Sequence, residues 1–153
     1  MEELLEKLKD FILEHQEYFS ELSEEDVPLE ILTENNVLIH PVDISRYEEN
    51  VLCVILPNVE QDDFENSSIG FQRVNSDITI SFLNRGYPYE TLIRQSCRFA
   101  AGLRKMLFEN PTLGDSVLDF QFGNRSFYPD MGTVDRQMSA VEIELTLLTE
   151  EEI

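Results

Sequence analysis

Positive charge is scarce in this chain: 11 Lys and Arg stand against 31 Asp and Glu, which gives a formal net charge of −20. Phosphate groups repel a surface of that average charge, so the composition argues against free-standing nucleic-acid binding and against docking on an anionic membrane. A strong negative charge keeps a protein soluble or suits a basic partner.

Cysteine and histidine are equally scarce, at two residues each, and they stand too far apart for a zinc cluster. Cys53 and Cys97 lie in apolar surroundings, and we expect both to be buried free thiols in a reducing compartment. His15 falls within a helical apolar stripe, which predicts a packed or rim residue. Neither His15 nor His40 stands in a recognisable pairing of nucleophile and base.

The glycine-rich and serine-centred motifs of common enzymes are missing as well. The sequence contains no G-x-S-x-G, no G-x-x-x-x-G-K-[ST] and no G-x-G-x-x-G. Asp62, Asp63 and Glu65 lack the spacing of a calcium loop. Carboxylate pairs stay open, since 31 acids produce some pairs by chance. We therefore expect no enzymatic activity, no metal and no cofactor.

Long apolar runs are absent, and none approaches the ~20 residues that span a bilayer. The opening segment "MEELLEKLKD" is acidic and lacks the apolar core of a signal peptide. We expect synthesis in a cytoplasm. With 153 residues, 42% of them apolar and 27% charged, the composition predicts one globular domain over 1–153.

Helical periodicity marks the first 20 residues, with a helix of about 17 residues by its 3.6-residue period. Its apolar stripe comprises Leu4, Leu5, Leu8, Phe11, Ile12, His15, Tyr18 and Phe19. Residues 1–30 hold 11 acids against Lys7 and Lys9, a local charge of −9. Within this stretch, the acidic segment 21–30 is interpreted as a solvated linker, with a docking surface as the alternative.

A second helix is predicted from about Tyr87 to Glu109, beginning near Pro88 and ending before Asn110-Pro111. Its predicted apolar stripe comprises Ile93, Cys97, Ala100, Leu103 and Leu107, widened by Leu92, Phe99 and Met106.

Basic residues concentrate on that same helix, since the segment 94–115 holds four of the chain's 11. Arg94, Arg98 and Lys105 fall on one strip, because steps of four and seven residues nearly complete whole turns. Three interpretations stay open: a solvated face, a contact with acidic groups of a neighbouring subunit, and a strip that faces DNA in an enclosed channel.

Between and after the helices, the sequence pattern is typical of β-strands. Polar loops are predicted at 57–68 and 123–137, and the tail 145–153 is expected to end in a frayed acidic segment. The predicted strands are 37–45 (interrupted by Pro41), the continuously apolar 51–56, 77–86, 116–122 and 138–148. This order predicts one α+β domain, with a mostly antiparallel or mixed sheet of about five strands and helices against one face.

The second half of the chain resembles a known family. "DITISFLNRG", "YETLIRQSCRFAAGLRKMLFENPTLGD", "SVLDFQF", a long loop and "AVEIELTLL" follow one another over about residues 75–150. This order of strand, helix, strand, loop and strand resembles the tail terminator (tail completion) proteins of long-tailed bacteriophages. The helix that ends in "NPTLGD" ahead of a strand is its most telling part. The acidic 21–30 run and the "QDDFENSS" loop have no counterpart in it.

The resemblance implies a structural protein of a phage or prophage, made in the bacterial cytoplasm and built into the tail or neck of the virion. Tail terminators form a ring, commonly a hexamer, that stops tail-tube polymerisation and provides the surface for head-tail joining. The implied partners are further copies of the chain, the tail tube protein, a head-completion or connector protein, and DNA as a passive contact in the channel. Arg94, Arg98, Lys105 and Arg125 are the candidate interface or channel residues.

Two alternatives follow from the same sequence. One is another neck or baseplate component of a phage tail. The other, of a different class, is an acidic mimic of nucleic acid that inhibits a basic protein. A mimic is expected to show one continuous acidic face, whereas a ring protein is expected to show edges of opposite charge.

Overall fold

The computed structural model describes residues 1–43, 46–132 and 136–152, with 64–66 and 152 described by their backbone alone. Eight elements follow one another along these residues. They are α1 (Glu2–Glu14), α2 (Glu17–Ser20), β1 (Val37–Leu38), β2 (Val51–Ser68), β3 (Phe71–Arg85), α3 (Tyr89–Glu109), β4 (Asp119–Tyr128) and β5 (Met138–Glu152).

The five strands form one mixed sheet in the order β1-β2-β3-β5-β4. β1 runs parallel to β2, and the other neighbouring strands are antiparallel. α1 packs against β1 and β2, while α3 packs against β3 and β5. The predicted α+β class, with helices on one face of a mostly antiparallel sheet, is confirmed.

Alternating side chains build the helix-covered face of the sheet, as the period of two predicts. On β3, Ile78, Ile80 and Phe82 are fully buried. Residues directly opposite each other in an antiparallel pair share a face, so Ile143 opposite Ile80 belongs to the same layer. Phe82 stacks on Phe99 of α3, with ring centroids 4.8 Å apart. The predicted faces of 77–86 and 138–148 are both confirmed.

The predicted N-terminal helix divides into two. α1 ends at Glu14, His15 leaves the helical region with φ −120° and ψ 42°, and α2 begins at Glu17. The His15 ring stacks on Phe11 at 4.0 Å between centroids, and its Nδ1 lies 2.9 Å from the Phe11 carbonyl oxygen. The prediction of a packed histidine is confirmed. The break lets α2 turn so that Phe19 reaches the core.

The polar loop predicted at 57–68 is wrong, because β2 continues through it to Ser68 and forms a long hairpin with β3. Sequence periodicity misses this arm because the helices do not cover it. With water on both faces, no alternation of apolar residues is required, and main-chain pairing with β3 carries the strand. Register shifts after Pro57 and after Asp63 interrupt that pairing.

The frayed tail is also wrong as a prediction for its described residues, since Thr149 to Glu152 extend β5 and pair with the start of β3. Arg73 of β3 and Glu150 of β5 form an ion pair at 3.4 Å across this extension. The like charges of Glu150 and Glu151 are tolerated because the ladder to β3 holds the backbone while these exposed side chains stay in water.

Two further boundaries differ from the prediction. Residues 123–128, predicted as part of a long loop, belong to β4 beyond a register shift between Phe122 and Arg125. The predicted strand 37–45 keeps two residues, Val37 and Leu38, and Pro41 lies outside it. The predictions for 44–45 and 133–135 fall outside the described residues. The strand predicted at 51–56 is confirmed, with Val51 to Ile55 all buried.

The segment "NPTLGD" after α3 forms a tight turn built on left-handed backbone. Leu113, Gly114 and Asp115 have φ values of 48°, 67° and 68°. The Leu113 side chain is 5% exposed and belongs to the core, and burying it offsets the cost of its left-handed conformation. The turn therefore ends α3 and directs the chain into β4.

Candidate subunit-interaction surfaces

The long helix α3 buries most of the predicted apolar stripe, including Ala100 and Leu107, but not Ile93 and Cys97. Leu92, Phe99, Leu103 and Met106 are buried as expected, but Ile93 is 39% exposed. Cys97 is exposed too, which corrects the expectation of two buried thiols. Two polar residues, Gln95 and Ser96, take up buried positions instead. Sequence hydrophobicity is wrong at Ile93 and Cys97, because buried amide and hydroxyl groups that find hydrogen-bond partners are tolerated in a core.

Those buried polar groups have specific partners, except the Gln95 Oε1 atom, to which no described residue donates a hydrogen bond. Ser96 accepts a hydrogen bond from the Asn84 amide at 3.1 Å, and its hydroxyl lies 3.3 Å from that of Ser139. Gln95 donates to the main-chain carbonyl oxygen of Pro28 at 2.6 Å. These contacts fix α3 against the sheet on one side and against the segment that follows α2 on the other.

The basic strip of α3 lies against the chain's own acidic segment. Arg98 is 3.7 Å from Glu24, and Lys105 is 3.9 Å from Glu21. Arg94 pairs with Glu90 on α3 itself, at 3.1 Å. The sequence had placed these three cations together correctly. It did not show that segment 21–24 folds back onto them.

Of the three cations, Arg98 is held most firmly. Its side chain is 24% exposed, against 57% for Arg94 and 57% for Lys105. It also donates to the Leu22 carbonyl oxygen at 2.9 Å. A role of the strip in subunit contacts stays a prediction, and the same holds for the fourth candidate, Arg125. That residue lies apart from the strip, exposed on β4.

Aromatic residues collect where α3 meets β4, the last strand of the sheet. Phe120 and Phe122 stand opposite Leu147 and Leu145 of β5 and so share the helix-covered face. Phe108 of α3 contacts both rings, at 5.5 and 5.6 Å between centroids. The Arg104 guanidinium lies 5.1 Å from the Phe108 centroid and 5.6 Å from that of Phe122, within the range of a cation–π contact.

This cluster continues along β4 and stays partly open to solvent. Arg125 and Phe127 stand opposite Ile143 and Val141, on the same face. Phe108 is 56% and Phe127 47% exposed, because α3 packs mainly on β3 and β5 and reaches β4 through Phe108. We name this surface the aromatic edge. Its residues are Arg104, Phe108, Phe120, Phe122, Arg125 and Phe127. The sequence predicts that Phe120 and Phe122 share a face. It does not predict that Arg125 and Phe127 lie on that face too, because the bulge after Phe122 shifts the alternation by one residue.

The hairpin of β2 and β3 forms the second exposed surface, here named the acidic arm (residues 57–73). Glu60 and Asp62 are exposed along its outer strand. Apolar side chains stand open beside them: Val59 is 54% exposed and Phe71 43%, and Ile69 at the tip is fully exposed. The molecule therefore exposes two surfaces of unlike character. One is aromatic and basic, and the other is acidic and aliphatic.

The remaining chemically reactive side chains are dispersed. His40 is exposed and its Nδ1 lies 2.9 Å from the Pro41 carbonyl oxygen. Complete burial raises the pKa of the Cys53 thiol, which keeps it protonated and unreactive. A side-chain hydrogen bond to Asp130 raises the pKa of Tyr89. Within the described stretches, no group of three or more His, Cys, Asp or Glu is placed to hold a metal ion.

No protein-family model matches the chain, and no curated protein matches it. Among solved structures, it is similar to the sheath/tube terminator of an extracellular contractile injection system, PVC, determined in the extended state. The identity is 8% and the TM-score 0.44, over 96% of this chain and 56% of the other. The chain thus spans little more than half the length of that protein. Among the described residues, no helix is long and apolar enough to cross a membrane.

Proposed function

We propose that this protein is a structural tail terminator without enzymatic activity. Copies of it close into a ring, commonly of six, at the end of a phage or phage-like tail tube. The ring stops growth of the tube and offers a surface to a head-completion or connector protein. DNA passes through the channel of the ring and contacts its wall passively.

One observation carries the proposal: the aromatic edge and the acidic arm are exposed surfaces of unlike character, and they lie toward opposite edges of a single sheet. β4, with the aromatic edge, is the last strand on one side, and β2, with the acidic arm, lies next to β1 on the other. Unlike surfaces on opposite sides suit a head-to-tail contact that repeats from copy to copy. The sequence resemblance to tail terminators adds that such a repeating contact closes into a ring.

The fold of the resembling segment supports the same proposal. β3, α3, β4 and β5 cover the whole stretch on which the resemblance rests, and β3, β5 and β4 are neighbours in the sheet. The "NPTLGD" turn supplies a structural reason for that motif, since its left-handed residues turn the chain from α3 toward β4.

Electron microscopy of the purified protein, alone and after addition of tail tubes built from the tube protein encoded with it, tests the proposal. We expect rings at one end of the tubes. Tubes whose two ends remain bare at saturating protein would contradict it, as would decoration along the tube wall, which would indicate a different tail component.

A further inference from the structure

We propose that the aromatic edge of one copy binds the acidic arm of a second copy, with β2 of the arm lying alongside β4 and extending its sheet. This contact rests on the ring assembly proposed above and names the surfaces that form it. Strand addition of this kind joins main-chain groups along an open edge, while the side chains set which partner fits.

The open edge of β4 is the first reason. As the end strand of the sheet, β4 has main-chain groups on its outer side that no described strand pairs. Proteins protect such edges with charged residues, proline or short length. β4 has ten residues, with Asp119 and Arg125 as its charged positions and aromatic side chains at four others, Phe120, Phe122, Phe127 and Tyr128. The bulge between Phe122 and Arg125 is a further protection, but it interrupts the edge at one point only, so the segments on either side of it can receive a partner strand.

Complementary charge identifies the acidic arm as that partner. Its outer strand presents Glu60 and Asp62, opposite in sign to Arg104 and Arg125 of the aromatic edge. β1 reaches along β2 only to Val54, so the arm's outer side beyond that point has no strand partner among the described residues.

Charge also argues against a two-fold contact between identical edges. Two β4 strands paired antiparallel would bring Arg125, near the middle of the strand, close to Arg125 of the second copy. Two paired arms would set acid against acid. Like charges at close range disfavour both arrangements. The unlike pairing leaves one arm and one edge free at the ends of every open chain, so it continues until a ring closes.

A charge exchange tests the contact. Arg125→Glu and Asp62→Lys are each expected to raise the protein concentration needed for ring formation by about tenfold, since each places like charges together. The double variant Arg125→Glu/Asp62→Lys restores opposite charges and is expected to assemble close to the wild-type concentration. Lys7→Glu is the control for Arg125→Glu. It also replaces a positive by a negative charge, but on the exposed side of α1, and should assemble normally. If the two single changes add, so that the double variant needs a higher protein concentration for ring formation than either single variant, the proposed contact is wrong.

Cross-linking with a short bismaleimide then locates it. In a Cys97→Ser background, Gln121→Cys on β4 and Gln61→Cys on the arm are both exposed positions on the sheet face away from the aromatic rings, so neither removes a charge of the contact. A mixture of the two single variants should yield dimers and nothing larger, and the double variant should yield a ladder that ends at the closed ring. Efficient cross-linking of Gln121→Cys to itself would show a two-fold contact and overturn the inference.

The two proposals fail in distinguishable ways. Rings seen by electron microscopy whose subunits give no arm-to-edge cross-link overturn this contact and leave the proposed function standing. Tubes that stay bare, with no rings and no cross-links, overturn both. Urea unfolding of each variant shows whether it is folded before its assembly is measured.

Discussion

The guanidinium of Arg98 donates a hydrogen bond to the main-chain carbonyl oxygen of Leu22, with 2.9 Å between nitrogen and oxygen. This bond joins α3 to the segment that follows α2, and Glu24 adds an ion pair at 3.7 Å. A strip that the sequence presents as a candidate subunit contact therefore also holds the monomer together at this residue.

Arg98→Ala is expected to destabilise the monomer by about 1–2 kcal/mol, because a charge-assisted hydrogen bond is lost and the Leu22 carbonyl is left without its donor. Arg94→Ala is the matched control on the same strip. It removes an exposed pair with Glu90 and should cost less than about 0.5 kcal/mol. Urea unfolding measures both. Equal losses for the two variants would show that Arg98 has no special role in folding.

The central sheet gives a second prediction. Ile143 is 1% exposed and stands opposite Ile80, so Ile143→Asp buries an unpaired carboxylate and should cost several kcal/mol. Glu144, one residue on, is exposed and accepts a hydrogen bond from the Asn124 main chain at 3.3 Å. Glu144→Gln keeps an acceptor there and should unfold within about 0.5 kcal/mol of wild type. Similar losses for the two would contradict the assigned faces.

Glycines 102 and 114 allow a third prediction about two different causes of destabilisation. A Cβ on Gly102 would lie 2.7 Å from the Phe19 ring, so Gly102→Ala should separate α2 from α3. Gly114 has φ +67° with open space around it, so Gly114→Ala should cost about 1 kcal/mol from backbone strain alone.

Thermal melts compare the two glycine variants, and fluorescence of an environment-sensitive apolar dye shows which one exposes the core. We expect dye binding for Gly102→Ala and none for Gly114→Ala. Dye binding by Gly114→Ala would show that its turn does more than redirect the chain.

The two thiols give a fourth prediction. Cys97 is exposed and Cys53 is buried, and burial raises the pKa of the Cys53 thiol. A thiol reagent should therefore modify about one equivalent in the native protein and about two in denaturant, because the thiolate is the reactive form. Cys97→Ser should remove the fast native reaction. Fast loss of both thiols in the native protein would contradict the burial of β2 at this position.

The histidines test the expectation that the protein is not an enzyme. His15 stacks on Phe11, and His40 is exposed, with its Nδ1 near the Pro41 carbonyl oxygen. The double variant His15→Gln/His40→Gln is expected to cap tubes as wild type does. A folded double variant that binds tube ends but no longer supports function would revive a ligand or catalytic role.

Sequence reasoning predicts this fold best where one face of an element meets the core. The alternation of β5 around Ile143 and the boundaries of α3 at Pro88 and Asn110 follow from period and from proline geometry. It fails in the acidic arm, where main-chain pairing forms a strand without apolar alternation. It also fails on α3, where Gln95 and Ser96 are buried because distant residues supply their hydrogen bonds.

The candidate surfaces show the same division. The strip of Arg94, Arg98 and Lys105 follows from helical spacing alone. The acidic partners of Arg98 and Lys105 lie more than 70 residues away along the chain, and no local pattern predicts that pairing. The aromatic edge depends on the bulge between Phe122 and Arg125, which returns Arg125 and Phe127 to the face of Phe120. Residue spacing conceals such a return.

The length of tail tubes assembled with and without the protein tests the central claim most directly. If the protein is a terminator, tubes grown in its absence are overlong and broadly distributed. Wild-type protein added during growth narrows the distribution, whereas Arg125→Glu does so only at about tenfold higher concentration. Tubes whose length distribution is the same with and without well-folded wild-type protein would contradict the account.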